Sequence, residues 1–374
     1  MTTRRAFVHR LSARAPDDVS GFEAGVKDGT IDADCVVAVF GKTEGNGLVN
    51  DFSRGFATRA LQDALRARRE DGDADEACIV MSGGTEGALA PHFLVFEVRE
   101  SGWPEVPGAL AVGRARTPPL PYEHLGRLAQ VDAVANGVRA AIEDAGIEAA
   151  EGVHFVQIKC PLLTVDRVTE AEGRGRTTVT RDTLKSMSLS RAASALGVAV
   201  ALREVDRERL TDEAIGRDWS LYSSRASTSA GVELADHEIV ALGTAPGWSG
   251  PLRIGHAVMA DGIDIEPVRT VLAGLDLAAP GQLAAAQRNR VVAMLAKAEA
   301  GSMGTLRGYR HTMLNDSDIS STRHARAFVA GALAALVGHA EIFVSGGAEH
   351  QGPDGGGPVA IIAIEARSPA EAGI

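Results

Sequence analysis

Apolar runs of strand length return three times along the chain, and each time the same polar residues interrupt them. VVAVFGKTEG (36–45) and VVAMLAKAEA (291–300) share the pattern V-V-A-x-x-x-K-x-E, so Lys42 and Lys297 close equivalent strands, and HFVQIKCPLL (154–163) puts Lys159 at the same point. Self-similarity of this kind marks a repeat architecture and governs how every element is read. Downstream of each lysine a hydroxyl-Arg dipeptide opens an Ala-rich stretch of helical period: Ser53-Arg54 before GFATRALQDAL, Ser190-Arg191 before AASALGVAVAL, and Thr322-Arg323 before HARAFVAGALAAL. Further on, ACIVMSGGTEG (77–87) and EIFVSGGAEH (341–350) run an apolar strand into S-G-G-x-E, and the middle stretch offers Ser229-Ala230-Gly231-Val232-Glu233. A last strand then closes each unit: PHFLVFEV, HEIVALGTA and PVAIIAIEA.

Before each lysine strand lie a strand and a helix, clearest in VRAAIEDAGI (138–147) and VRTVLAGLDL (268–277). Each unit therefore reads strand, helix, strand, helix, strand, strand, over roughly 125 residues if the length is divided equally by three. Pro/Gly-rich joins near 101–124 and 244–251 place the units at 1–103, 111–249 and 255–368. Three such units each have an open sheet edge to cover, so the expected fold is a closed α/β assembly about a pseudo-threefold axis. Lysines and serines end strands and arginines start helices, which are the places where α/β folds put ligands, so the site is expected on the axis.

Composition narrows the class. With 374 residues, 45% of them hydrophobic and 23% charged, the chain has ample material for more than one core and no bias toward disorder. A net charge of −11 with no basic run speaks against nucleic acid and anionic membranes as partners. No stretch is long and apolar enough to span a bilayer, and the Arg pair near the N-terminus has no apolar segment behind it. Three scattered cysteines, Cys35, Cys78 and Cys160, fit free thiols in a reducing compartment, and the expected location is cytoplasmic.

Lysine at a strand end is ordinarily a solvated rim residue, and S-G-G is ordinarily a turn. Structural repetition alone would preserve apolar period and turn glycines; here Lys, Arg and Ser recur as well. Converging on one axis, three lysines and three arginines suit a small, electron-rich or anionic ligand, with guanidinium forks on its carbonyl oxygens. Crowding and desolvation lower a lysine pKa until the neutral amine serves as a base. G-x-S-x-G is absent, so a Ser-Lys pair is the available nucleophile and base, and the small residues after each serine let backbone N–H groups approach an oxyanion. Acyl transfer at an amide-like carbon is the chemistry such a pair serves.

On GKTEGNGLVND, VMSGGTEG, FVQIKCPLL, RHTMLNDSDI with STRHAR, and VSGGAEHQGP with GGGP, the chain resembles the ring-opening amidohydrolases, the cyanuric acid hydrolase and barbiturase family, over nearly its whole length. The resemblance implies three units around a pseudo-threefold axis, a homotetramer, and hydrolytic opening of cyanuric acid to carboxybiuret, which decarboxylates to biuret. It implies that Ser229 is the nucleophile and Lys159 its base, and that Arg54, Arg191 and Arg323 with Ser82-Gly83, Ser229-Ala230 and Ser345-Gly346 hold the substrate. Lys42 and Lys297 complete the expected binding set. The middle unit alone departs from the pattern, with Ser-Ala-Gly for Ser-Gly-Gly and Lys-Cys-Pro for Lys-x-Glu, as expected if it specialised for chemistry.

GAEHQGPDGGGP (347–358) lacks the G-x-x-x-x-G-K-[ST] of a phosphate loop, and its exposed carbonyls suit a hard cation. The resemblance implies a structural divalent metal there, Mg²⁺, with Glu299 and groups at Ala348, Gln351, Gly352, Pro353 and Gly356, and no organic cofactor. His311, His324 and His350 have no zinc-type spacing. Glu86, Glu233 and Glu349 follow the serines at one offset and are read as partners that orient the lysines or arginines. Two alternatives stand beside the main reading: a barbiturase, and a non-catalytic threefold binding protein, which would have no need of the lysines.

Overall fold

A computed structural model of the chain describes residues 2–70, 72, 73 and 77–366. The last two residues of the third expected unit, 367 and 368, lie outside the described residues. The first unit consists of β1 (Thr3–Ser12), α1 (Ser20–Asp28), β2 (Val36–Thr43), α2 (Phe52–Arg68), β3 (Cys78–Gly83) and β4 (His92–Ser101). The second consists of β5 (Leu110–Arg116), α3 (Leu128–Ala145), β6 (Val153–Pro161), α4 (Val165–Gly173), α5 (Thr183–Ala201), β7 (Ala226–Gly231) and β8 (Glu238–Thr244). A short β9 (Trp248–Ser249) follows. The third has β10 (Leu252–Met259), α6 (Glu266–Gly274), α7 (Ala285–Arg288), β11 (Val291–Ala298), a hairpin of β12 (Thr305–Leu306) and β13 (Tyr309–Arg310), α8 (Ser321–Val337), β14 (Phe343–Gly346) and β15 (Gly357–Ile364).

Three sheets share one strand order: β3-β2-β4-β1, β7-β6-β8-β5 and β14-β11-β15-β10, with β9 added beyond β1. In each, the lysine strand pairs parallel with the serine strand and antiparallel with the last strand of its unit. A parallel pair needs a crossover, and α2, α5 and α8 supply it. β9 belongs by position to the second expected unit yet pairs with β1, Arg4 opposite Trp248, so the join ties two units together.

The lysine strands are buried almost throughout, as strands covered on both faces must be. One apolar cluster takes side chains from all three sheets, among them Phe40, Phe96, Val156, Phe155, Leu295 and Phe343. Phe40 packs on Phe96 at 4.6 Å and on Phe343 of the third unit at 5.9 Å between ring centroids. Separate clusters under the helices fill the other faces: Leu61 and Leu65 with Val39 in the first unit, Leu196 with Val131 in the second, Val329 and Leu333 with Met294 in the third. The shared core holds the three lysine strands close together, so the ends of those strands meet.

One expected element starts elsewhere. The dipeptide Ser190-Arg191 does not open a helix: α5 begins at Thr183, where the Asp182 side chain accepts from the Lys185 N–H, and Arg191 lies in its middle. Ser190 instead donates to the Pro161 carbonyl at 2.6 Å and accepts from Gln130, a polar bridge between α5 and α3. Among the described residues no helix is long and apolar enough to cross a membrane.

Candidate active site

In parallel pairing the cross-strand neighbour of each lysine is a serine: Lys42 opposite Ser82, Lys159 opposite Ser229, Lys297 opposite Ser345. All six side chains are buried. Lys42 Nζ donates to Ser82 Oγ at 3.2 Å and Lys297 Nζ to Ser345 Oγ at 3.1 Å. The middle pair differs. Lys159 Nζ donates to the Met81 carbonyl of the first unit at 2.8 Å and pairs with Glu233 at 2.6 Å, while Ser229 Oγ lies 3.2 Å from Ser345 Oγ. Among the described residues no hydrogen bond joins Lys159 Nζ to Ser229 Oγ; catalytic contacts of this kind often close only once substrate is bound. Lys297 reaches across in the same sense as Lys159, donating to the Thr228 carbonyl of the second unit at 2.9 Å.

Burial dominates the electrostatics of these amines. It pulls Lys42 well below the usual lysine range, with Arg326 acting in the same direction, and brings Lys297 down to about 7, helped by Arg191. Lys159 is lowered by burial and by Arg54, against the upward pull of Glu233.

The three serines and the residues after them, Ser82-Gly83, Ser229-Ala230 and Ser345-Gly346, line one small cavity. Arg54, Arg191 and Arg326 enter it from α2, α5 and α8, with Gly47 and Met187 completing the wall. Of the expected substrate residues, the cavity wall omits Lys42 and Lys297, which lie behind Ser82 and Ser345 and donate to their hydroxyls, and Arg323, whose side chain is about a third exposed and whose Nε donates to Glu86 at 2.9 Å. Arg326 takes that place, 2% exposed, and donates to the same carboxylate at 2.7 Å from both Nε and Nη2. Helical register explains the substitution. In α2 the buried residues after Arg54 are Ala57, Leu61, Ala64 and Leu65, and the same offsets from Arg326 reach Val329, Leu333, Leu336 and Val337, all buried. The hydroxyl-Arg dipeptide was the wrong alignment signal; the apolar stripe is the right one. The stripe faces the core, and the arginine one turn before it points at the same end of the sheet as the serines.

The arginines differ in their partners. Arg191 donates to Glu349 at 2.9 and 2.6 Å, and the Arg326–Glu86 pair is equivalent. Arg54 donates to carbonyl oxygens, with Leu48 at 2.6 Å and Ala230 at 3.4 Å, and its Nε has no partner. That buried Nε is a donor free for a ligand.

Beside the cavity, Glu299 accepts from the Ala300 N–H at 2.9 Å, and its carboxyl is pushed up to about 7 by burial and by the neighbouring Glu349. The adjoining loop carries left-handed Gly352 (φ +95°) and Gly355 (φ +81°), which only glycine adopts without strain. Gln351 Oε1 accepts from the Thr228 N–H at 2.7 Å, so the loop abuts the strand that carries Ser229. Among the described residues no three His, Cys, Asp or Glu side chains cluster as metal ligands, so a cation here would rely on carbonyl and amide oxygens together with carboxylate. The histidines are dispersed: His324 pairs with Asp316, and His350 packs between Leu221 and Gly216.

Residues 7–364 match the family model described as amidohydrolase ring-opening protein. Cyanuric acid amidohydrolase of Bradyrhizobium sp. (strain ORS 375) is 60% identical over 365 residues, covering 96% of this chain and 98% of the relative. The enzyme of the same name from Azorhizobium caulinodans is 60% identical over 358 residues, with 96% and 98% covered. A crystal structure of cyanuric acid hydrolase from A. caulinodans superposes with a TM-score of 0.89 at 58% identity, covering 97% of this chain and all of the other. A second cyanuric acid hydrolase structure, described as evolutionary innovation by structural concatenation, gives a TM-score of 0.91 at 44% identity, with 97% and 100% covered.

Proposed function

Because the chain belongs to the ring-opening amidohydrolase family, we propose that its cavity opens the cyanuric acid ring by hydrolysis, with Ser229 as nucleophile and Lys159 as base. The observation that carries this reading is the convergence of three serines, each opposite a buried lysine on the neighbouring strand, and three arginines on a single small cavity. Cyanuric acid is a planar ring with three equivalent carbonyls, and a cavity lined three times over by Arg and Ser-Gly or Ser-Ala matches it in number.

Arg54, Arg191 and Arg326 donate to the carbonyl oxygens and orient the ring. As Ser229 Oγ attacks one carbonyl carbon, its proton passes to Lys159 Nζ, and negative charge on the former carbonyl oxygen is met by nearby N–H and guanidinium donors. Collapse breaks the ring C–N bond, and the leaving nitrogen takes the proton from Lys159. Water, deprotonated by the same amine, then cleaves the carbamoyl ester and returns Ser229; the product, carboxybiuret, loses carbon dioxide to leave biuret. Lys42 and Lys297, hydrogen-bonded to Ser82 and Ser345, keep those serines in place as binding groups.

Lys297-Ser345 is the second reading within this cavity, favoured by its 3.1 Å hydrogen bond and an amine near 7. The departure of the middle unit from the repeat pattern favours Ser229. Glu299 and the carbonyls of the 348–356 loop would hold a Mg²⁺, which would offset the Glu299–Glu349 repulsion and fix the loop. The family resemblance extends the proposal to a homotetramer in the cytoplasm.

Purified protein assayed on cyanuric and barbituric acids, with Ser229→Ala, Lys159→Ala, Ser82→Ala and Ser345→Ala beside the wild type, tests the reading. Catalytic turnover of cyanuric acid, lost by orders of magnitude in Ser229→Ala and Lys159→Ala and reduced less in the other two, supports it. Stoichiometric uptake without turnover would mean a binding protein, faster turnover of barbituric acid a barbiturase, and an active Ser229→Ala with a dead Ser345→Ala the other pair.

A further inference from the structure

The carboxylates four residues after the serines have two different fates. In the first and third units they hold an arginine of another unit: Glu86 takes Arg326 and Glu349 takes Arg191. The same rule would give Glu233 to Arg54. Instead Glu233 lies 2.6 Å from Lys159 Nζ.

The backbone shows how the exchange is made. After Ser82 and Ser345 the strand ends at the next residue, and the following glycine turns left-handed, Gly84 at φ +100° and Gly347 at φ +78°. After Ser229 the strand runs one residue further, through Gly231, which is absent from the left-handed region. The space beside that glycine is filled accordingly. A Cβ on Gly84 would lie 2.0 Å from Arg326 Nη2 and one on Gly347 2.5 Å from Arg191, but one on Gly231 would lie 2.0 Å from Glu233 Oε2. Where two units seat a guanidinium, the middle unit seats its own carboxylate.

From this broken symmetry we infer that Glu233 is the positioning residue for Lys159, holding its amine at the end of β6. The inference rests on the proposed role of Lys159. Lys42 and Lys297 donate to serine hydroxyls and carbonyls, so Lys159 is the lysine of the three with a carboxylate at ion-pair distance. The charged and titratable groups facing Lys159 are Glu233, Arg54 from α2, Cys160 on its own strand and Glu238, its cross-strand neighbour on β8. Arg54 lowers the amine and Glu233 raises it. Freed of Glu233, Arg54 keeps its Nε for the substrate, so one exchange serves both residues.

The sign of the effect is fixed. The neutral amine is the working base, so activity falls on the acid side as Lys159 takes up a proton. Removing the carboxylate removes what raises the amine, and the acid limb moves to lower pH.

The test is the pH profile of kcat and KM on cyanuric acid for Glu233→Gln, with Glu86→Gln alongside and melting curves to establish folding. Glu233→Gln is expected to lower the plateau kcat at least tenfold, leave KM within about threefold, and shift the acid limb of kcat by about one pH unit or more toward acid. Glu86→Gln, which loosens Arg326, is expected to raise KM and leave the limb where it is. An unmoved limb in Glu233→Gln, or a loss confined to KM, overturns the inference. If Glu233→Gln does not fold or is too slow to profile, ¹⁵N NMR of lysine-labelled wild-type protein reads the amine directly, since the chain has five lysines and Lys159→Ala assigns the signal. An ammonium at Lys159 that persists above the pH at which Lys42 deprotonates supports the role; loss together with or below Lys42 overturns it. An active Lys159→Ala would instead sink the assignment of the base, whatever Glu233 does.

Discussion

Arg323 and Arg326 stand one helical turn apart in α8, and both donate to Glu86. Sequence pairing by Thr322-Arg323 chose the wrong one, because a hydroxyl-Arg dipeptide describes two adjacent residues whereas a helix presents residues three and four apart on one face. Burial separates them: Arg326 is inside with Gly346 and Gly83, Arg323 at the rim. Replacing Arg326 with Ala removes a guanidinium from a substrate oxygen and leaves Glu86 short of its main donor, so kcat/KM on cyanuric acid is expected to fall about 10- to 100-fold, the worth of a charge-assisted hydrogen bond of about 1.5–3 kcal/mol. Arg323→Ala is expected to stay within about threefold. Equal losses would place both arginines on the substrate. The lysines and serines needed no such correction, because in a parallel pair the register itself sets each lysine opposite its serine.

Strands were legible as apolar runs of strand length, and the repeat of the lysine and serine strands gave their succession along the chain. What escaped was the length of α5, whose start at Thr183 depends on the Asp182 cap and not on the hydroxyl at Ser190. Ser190 and Ser194 belong to a buried network in which Gln130 donates to both and lies 3.0 Å from His237 Nε2. A serine that bridges two helices and a serine that starts one look alike in sequence. The turns after the serine strands carry a sharper consequence. Gly84 combines φ +100° with an arginine 2.0 Å from where a Cβ would sit, so no side chain fits without moving Arg326. Gly84→Ala is expected to cost about 1–3 kcal/mol in denaturant unfolding and to raise KM at the same time. A variant with wild-type stability and KM would show that the turn relaxes freely and that Arg326 is not held by it.

Three sheets of one strand order around a shared core were foreseeable from the repeats, but the way the third unit grips the second was not, because it rests on backbone groups and on His350 and Gln351, which belong to no repeated pattern. His350 and Gly352 exchange hydrogen bonds with both sides of Ser223 at 2.9 Å, His350 Nε2 accepts from the Gly216 N–H at 2.7 Å, and Gln351 caps Thr228, the residue before Ser229. The loop from 347 to 358 is thus a clamp between units, and the proposed Mg²⁺ at Glu299 would brace it from the third unit. Such an ion would stabilise the folded assembly by mass action, by about 2.7 kcal/mol at a hundredfold excess over its Kd, and would take no part in the proposed Ser-Lys chemistry. For a chain of this size that corresponds to a fall of roughly 3–4 °C in melting temperature on chelation. The initial rate at 25 °C, measured soon after chelator is added, is expected to change less than twofold and then to decay with the half-life of unfolding. Magnesium should restore the melting temperature. A rate lost at once at unchanged stability, and recovered with zinc, would mean that the metal activates water and that the serine is not the nucleophile.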